Sequence, residues 1–456
     1  MKRRTISALG GFLLAALALL TACAALATEN TRLTTQVATV TTLTTTPPLD
    51  LGMLAYVHGG DVWVRELPDG EPRRLTGDGR NSTPRWSPSG GWLTFHKGDE
   101  VWIMRADGTD ARQIPEASPR DYAWSPVADQ LAYIDTKSNL RVIEESALDA
   151  KPPSEGNVHL RLDLEGQPLT IIHSLAWAPD GRGLGYVLHS YQSGVPPKHI
   201  HVGVEYFDFE AGPRELYALP SPPQDGLILA GWTPDGQSLL FWLDPVFSAS
   251  IAADGLPLLR LSLDGGDPVE VADFALLHTD FWSGSPMGQS MALTAGGGRE
   301  TWTNKRIALL DLETNDLKYL TGESVSAFSP AFSPDGWHIA YVAAPDVGHV
   351  WGGDEARAGA AQRRIWVMNA DGSDQSPLTD DPAYRDERPL WSADGMHVLF
   401  SRLDEDGRAS LWLVDAAGGT PEEVVDELGP LSSPAPGWFG NYGHVDWDQC
   451  FDWWRH

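Results

Sequence analysis

Histidines, carboxylates and indole rings are the side chains in this 456-residue chain that could do chemistry, so their spacing comes first. His199 and His201 alternate, and on a regular strand that spacing turns two imidazoles toward one face as a pair of metal ligands. No third ligand accompanies them, and the pair reads as a strand carrying two partly exposed histidines; no metal and no cofactor are assigned. "DEDG" at 404–407 lacks the further ligands and the downstream Glu of a calcium loop and reads as a hairpin turn. There is no Gly-x-Ser-x-Gly elbow, and His173, His189, His278, His338, His349 and His444 are scattered without the spacing of a motif. No catalytic residue is assigned, and a non-catalytic protein is preferred over an enzyme.

The elements that hold these residues are repeats. "FSPDGWHIAYV" from Phe332 returns as "WSPSGGWLTF" from Trp86, "WSPVADQLAY" from Trp124, "WAPDGRGLGY" from Trp177, "WTPDGQSLLF" from Trp232, "WSGSPMGQSMAL" from Trp282 and "WSADGMHVLF" from Trp391. In the Ser-Pro-Asp-Gly form of the turn, Pro presets the torsion that enters it, Asp accepts from a backbone N–H two residues on, and Gly takes a positive φ, while the copies at Trp124 ("VAD") and Trp282 ("GSPMG") depart from that form. A second signature follows, as in "RRIWVMNADGSDQSPLT" from Arg363. One unit therefore reads as four strands with tight turns after the first and the third. Such a sheet cannot bury both faces alone, and stacking around an axis solves the problem.

These repeats resemble the TolB-like, WD40-like propeller repeat, and the resemblance covers nearly everything after residue 51. It implies an all-β protein, a β-propeller of four-stranded blades. Seven motifs, plus a blade shared between residues 54–76 and a first strand at 443–449, give eight blades closed by strands from both ends, with seven as the alternative. Most of the 19 tryptophans fall on first or third strands and are expected to pack between blades. Trp302, Trp351 and Trp438 lie outside that register and are the surface candidates. The tight turns share one face of the disc and the variable connections the other, so a binding face is expected around His349, Trp351, Tyr384, Arg385 and Trp302.

The chain opens with Lys2, Arg3 and Arg4 before the apolar run "ISALGGFLLAALALL", the layout of a signal peptide over residues 1–22. "LTAC" ending at Cys23 resembles the lipobox of bacterial lipoproteins, which implies lipidation at Cys23 and attachment to a membrane by lipid alone. Residues 23–50 are Thr-rich and read as a flexible tether, leaving 51–456 for the propeller. Net charge is -29, with 62 acidic and 33 basic residues, which argues against nucleic acid as a partner. Cys450 is expected to be a buried, unreactive thiol. The expected protein is a monomeric, extracytoplasmic, lipid-anchored scaffold, periplasmic or cell-surface, that binds an envelope protein or peptide. The alternative is a glycan-binding or glycan-cleaving propeller with a metal at the channel mouth.

Overall fold

The computed structural model describes residues 49–149, 157–160, 169–192, 194, 198–350, 352–431 and 442–455. The expected signal peptide, the tether as far as residue 48 with its Cys23, Trp351 and Trp438 lie outside the described residues. Asp50–His456 form one compact unit. It is all-β: six four-stranded antiparallel sheets and one of eight strands. The larger sheet is two groups of four joined by the single pairing Ala275–Ala295.

Taking that pairing as a seam, the described strands make four-stranded units over residues 81–113, 117–160, 169–218, 226–275, 282–319, 325–377 and 385–428, plus one built from both ends of the compact unit. Each unit touches its successor, and the unit over 385–428 touches the strand Met53–His58, so the ring closes. The fold is a β-propeller.

The turn chemistry is visible atom by atom. Asp335 accepts from the Trp337 N–H at 3.0 Å, Gly336 sits at φ +75°, and its N–H reaches the Ser333 carbonyl at 2.9 Å. The Ser333 hydroxyl adds a bond to Asp335 at 2.5 Å and accepts from the His338 N–H at 3.0 Å. In the variant turn after Trp124, Asp129 instead takes the backbone N–H and hydroxyl of Ser89 in the neighbouring unit, at 3.1 and 2.5 Å. Backbone bonds between the two tight turns of one unit, such as Ala370 N–H to the Trp337 carbonyl at 2.8 Å, place both on one face.

First-strand tryptophans do more than fill space. The Trp232 indole donates to the Ala176 carbonyl at 3.0 Å, Trp177 to Ala123 at 2.9 Å and Trp391 to Ala331 at 2.9 Å. Each acceptor is the residue just before the lead aromatic of the preceding unit. In these three units the ring is thus an apolar wedge between sheets with its one polar atom satisfied across the seam, whereas the buried indole nitrogens of Trp86 and Trp282 have no such partner.

Closure differs in place from the sequence reading. The strand that completes the first unit is Phe451–Trp454, antiparallel to Met53–His58 with Met53 opposite Trp454, and not residues 443–449. Trp453 and Trp454 fix it by donating to the Leu51 and Pro88 carbonyls, both at 2.8 Å. Gly52, at φ +86°, passes so close to the Trp454 carbonyl that a Cβ would stand 2.2 Å from its oxygen. Residues 443–449 enter the channel instead, because Trp447 and Val445 find apolar cover between the last unit and the closing first unit, and Asp446 and Asp448 find cationic partners.

Removing residues 443–456 should leave Met53–His58 as an unpaired edge and give aggregation or a large loss of melting temperature; a truncated chain that melts like the intact one would contradict this closure. Trp232→Phe should cost about 1 kcal/mol, the net value of one hydrogen bond, and Trp232→Ala about 3–5 kcal/mol, in urea unfolding monitored by circular dichroism.

Candidate functional site

The long connections gather on the face opposite the tight turns and enclose a groove of about 770 Å³. One wall is the helix Gly353–Ala361, whose buried residues Ala356, Gly359 and Ala360 follow helical spacing. Gly359 has no side chain because Val347 packs where a Cβ would lie, at 2.9 Å. The opposite wall is Pro382–Arg385 with the turn Leu403–Gly407, and Trp302 reaches the groove from the neighbouring unit. The lining is mostly alanine and glycine, with Pro382 and Leu403, and Arg357, Asp404 and Glu405 stand at the groove.

Beneath Tyr384 lies a rigid base. Arg402, 2 % exposed, makes a bidentate pair with Asp386 at 2.6 and 3.1 Å and stacks under the rings of Tyr384 and Trp412, both at 4.6 Å. Arg385 turns inward, bonding Glu387 at 2.7 Å and the Gly443 carbonyl at 2.6 Å. Arg363, fully buried, pairs with the same Glu387 and donates to the Gly443 carbonyl at 2.5 Å and to the Thr301 hydroxyl at 2.7 Å. Burial, with Arg385 adding to it, lowers the Arg363 guanidinium to about 10. The Trp447 indole completes the cluster with a 3.0 Å bond to Glu387.

Of the sequence-predicted residues, the structure brings Trp302, Tyr384 and Arg385 to this groove; His349 is exposed but does not line it. Two corrections follow. Trp302 is 7 % exposed, so it is not a surface ring: its connection folds under the groove and buries it. Arg385 is committed to Glu387 and Gly443 and lacks the freedom of a surface arginine. Arg363 and Glu387 escaped sequence reading because their partners are side by side only in the folded ring.

A second site is the channel, a cavity of about 1040 Å³ lined by Arg85, His96, Tyr122, Trp242, His278 and Asp448 among others. Residues 443–449 cross it and are held by charge. His444 bonds Asp280 at 2.8 Å, Arg388 bonds Asp448 at 2.8 Å, and Thr279 donates to Asp448 at 2.9 Å. His278 bonds Asp280 and lies 3.3 Å from Asp446. Burial alone would lower the His278 imidazole, but Asp280 and Asp446 outweigh it and hold it well above its ordinary 6.5. Burial would likewise raise Asp280, yet His278 and His444 hold it well below 3.8. His278, Asp280 and His444 bring their ligand atoms within 4.8 Å of one another, and so do His201, Glu205 and Glu215. In the first group the carboxylate already takes both imidazoles as hydrogen-bond partners. It therefore works as an ion-paired latch on the crossing segment.

Comparison with known proteins adds a family resemblance to this geometry. No family model matches the chain. It is 36% identical over 75 residues to the Tol-Pal system protein TolB of Rhizorhabdus wittichii, 16% of each chain. Over those residues the chain is similar to TolB. An uncharacterized protein of Agrobacterium fabrum is 29% identical over 138 residues, 28% of this chain and 46% of that protein. The chain thus spans less than half the length of these curated relatives. Among solved structures, dihydro-heme d1 dehydrogenase NirN is similar with a TM-score of 0.55 at 16% identity, over 82% of this chain and 74% of the other. Dipeptidyl peptidase 4 of Porphyromonas gingivalis also gives 0.55 at 10% identity, over 81% and 57%. At these identities the two structures speak to the propeller fold alone. No helix of the described residues is long and apolar enough to cross a membrane.

Protonated His278 contributes its stabilisation fully below pH 6.5, and that contribution is lost as pH rises through its higher folded value. The Asp280 contribution is present above pH 3.8 and lost as pH falls through its lower folded value. The latch is therefore strongest between those limits: the melting temperature of the intact chain should fall on the alkaline side, and His278→Asn should flatten that slope. Asp280→Ala, which strips His444 of its carboxylate and leaves His278 only Asp446, should cost about 3–5 kcal/mol at pH 6 in chemical unfolding.

Proposed function

We propose that this chain is an eight-bladed, lipid-anchored propeller of the cell envelope that binds a protein or peptide segment without catalysing a reaction. The observation that carries the reading is the groove on the long-connection face, where an apolar interior meets charged residues over a buried Arg402–Asp386 pair. A short extended peptide suits it: small residues admit apolar side chains, while Arg357, Asp404 and Glu405 can pair with polar ones. Tyr384, held from below by Arg402, is the aromatic anchor that such sites use. The similarity to TolB supports an extracytoplasmic location, and Cys23, after its apolar leader, is the residue through which lipid would attach.

Peptides selected by display against the full chain should bind at micromolar Kd, and Ala383→Arg or Ala361→Arg, both at exposed positions lining the groove, should weaken them at least tenfold without moving the melting temperature. Selected peptides that ignore both variants would reject the groove. In cells, Cys23→Ser should abolish incorporation of labelled fatty acid and shift the protein from the membrane to the soluble fraction; unchanged labelling would reject the anchor.

A further inference from the structure

The unit over residues 169–218 carries a group of histidines that neither the groove nor the channel latch uses. His199 and His201 do not share a face, contrary to the reading from their spacing. Pairing runs from Ser190–His201 to Tyr191–His199, so Ile200 is an extra residue in its strand. That bulge turns His201 away, toward Glu215 at 3.1 Å, and leaves His199 on the side of Tyr191 and His189. A second irregularity, between Ile172 and Ser174, takes His173 out of the regular ladder. Its ring lies 4.1 Å from that of His189, centroid to centroid, and His189 lies 5.2 Å from His199. Two bulges therefore assemble three imidazoles from three adjacent strands.

Their hydrogen bonding is incomplete. His189 is 6 % exposed, and neither of its ring nitrogens has a hydrogen-bond partner, the Leu227 backbone giving only a weak contact. The His199 Nδ1 is likewise buried and unpartnered. A buried polar atom left this way costs about 1–3 kcal/mol. Phe247 stacks on His199 at 3.8 Å and closes one side, while His173 leaves the other open to solvent. Gly226 provides the room: a Cβ there would meet the Phe247 ring at 2.9 Å.

We propose that His173, His189 and His199 form a binding site for a borderline transition-metal ion, Zn²⁺ foremost, independent of the peptide groove. An imidazole bound through nitrogen at about 2.1 Å has its centroid about 3.2 Å from the ion, so two rings at a tetrahedral angle stand about 5 Å apart. The observed 4.1 and 5.2 Å fall around that value; the nitrogens of all three rings do not stand within 4.8 Å of one another, so binding requires the His173 and His199 rings to turn toward His189, His173 giving up its 3.2 Å contact with the Tyr191 hydroxyl. Three nitrogen donors favour Zn²⁺, Ni²⁺ or Cu²⁺ over Ca²⁺ and Mg²⁺, which take oxygen.

The test is calorimetric titration of the metal-free full chain with ZnCl₂ at pH 7.5, with CaCl₂ as control. One Zn²⁺ per chain at micromolar Kd or tighter, no Ca²⁺ binding at this site, a loss of at least tenfold in His173→Ala and in His199→Ala, and no change in His201→Ala would support the site. Because His189 is buried, His189→Gln is read only alongside its melting curve; the two more accessible variants decide the matter. No stoichiometric Zn²⁺, or Zn²⁺ held with unchanged affinity by both His173→Ala and His199→Ala, would overturn the proposal.

Discussion

A sheet edge in water must be paired or shielded, and the propeller meets that constraint by joining Met53–Tyr56 to Phe451–Trp454. The pairing turns a row of separate sheets into a ring in which every sheet has two neighbours. Its local chemistry is redundant: four backbone pairs, two indole hydrogen bonds, and a cluster of Leu54, Tyr56, Phe451 and Trp453 against the last unit. The groove depends on it as well, since the segment that leads into the closing strand carries Gly443, whose carbonyl takes both Arg363 and Arg385.

Charge has two distributions in this molecule. The net value of -29 reflects surface turns, where carboxylates such as Asp371 and Asp311 cap their own backbone. Inside the ring the same residue type is spent differently. Asp280, Asp386, Glu387 and Asp448 each face a cation from another strand or from the crossing segment, His444 for Asp280. Taking such charges out of water is costly, so these pairs fix geometry more than they add stability. They set where the crossing segment lies and how the groove base is shaped.

Much of the fold was legible because its signals are local. A Ser-Pro-Asp-Gly turn closes on its own atoms, and the recurring aromatic announces a repeated interface, so the four-stranded unit and the face of its long connections follow from short stretches. The misplacement of the closing strand had a physical source: "GHVDWDQ" has the alternation of a strand, but Asp446 and Asp448 gain more from His278 and Arg388, residues far away in sequence. Trp302 looked exposed because nothing in its neighbours shows that the connection folds inward. His199 and His201 looked paired because a bulge is invisible to counting by twos. The groove was half visible, through Tyr384 and Arg385, while its base of Arg402, Asp386, Arg363 and Glu387 required the ring to exist.

The distance along the chain between the two partners of the closing pair also sets a clock. A ribosome adding about 5–20 residues per second needs on the order of 20–80 s to travel from His58 to Phe451. During that interval the strand Met53–His58 exists without its closing partner, and the row of units already made has a raw flank at each end. The nascent protein thus spends most of its birth as an open arc whose two ends are both adhesive.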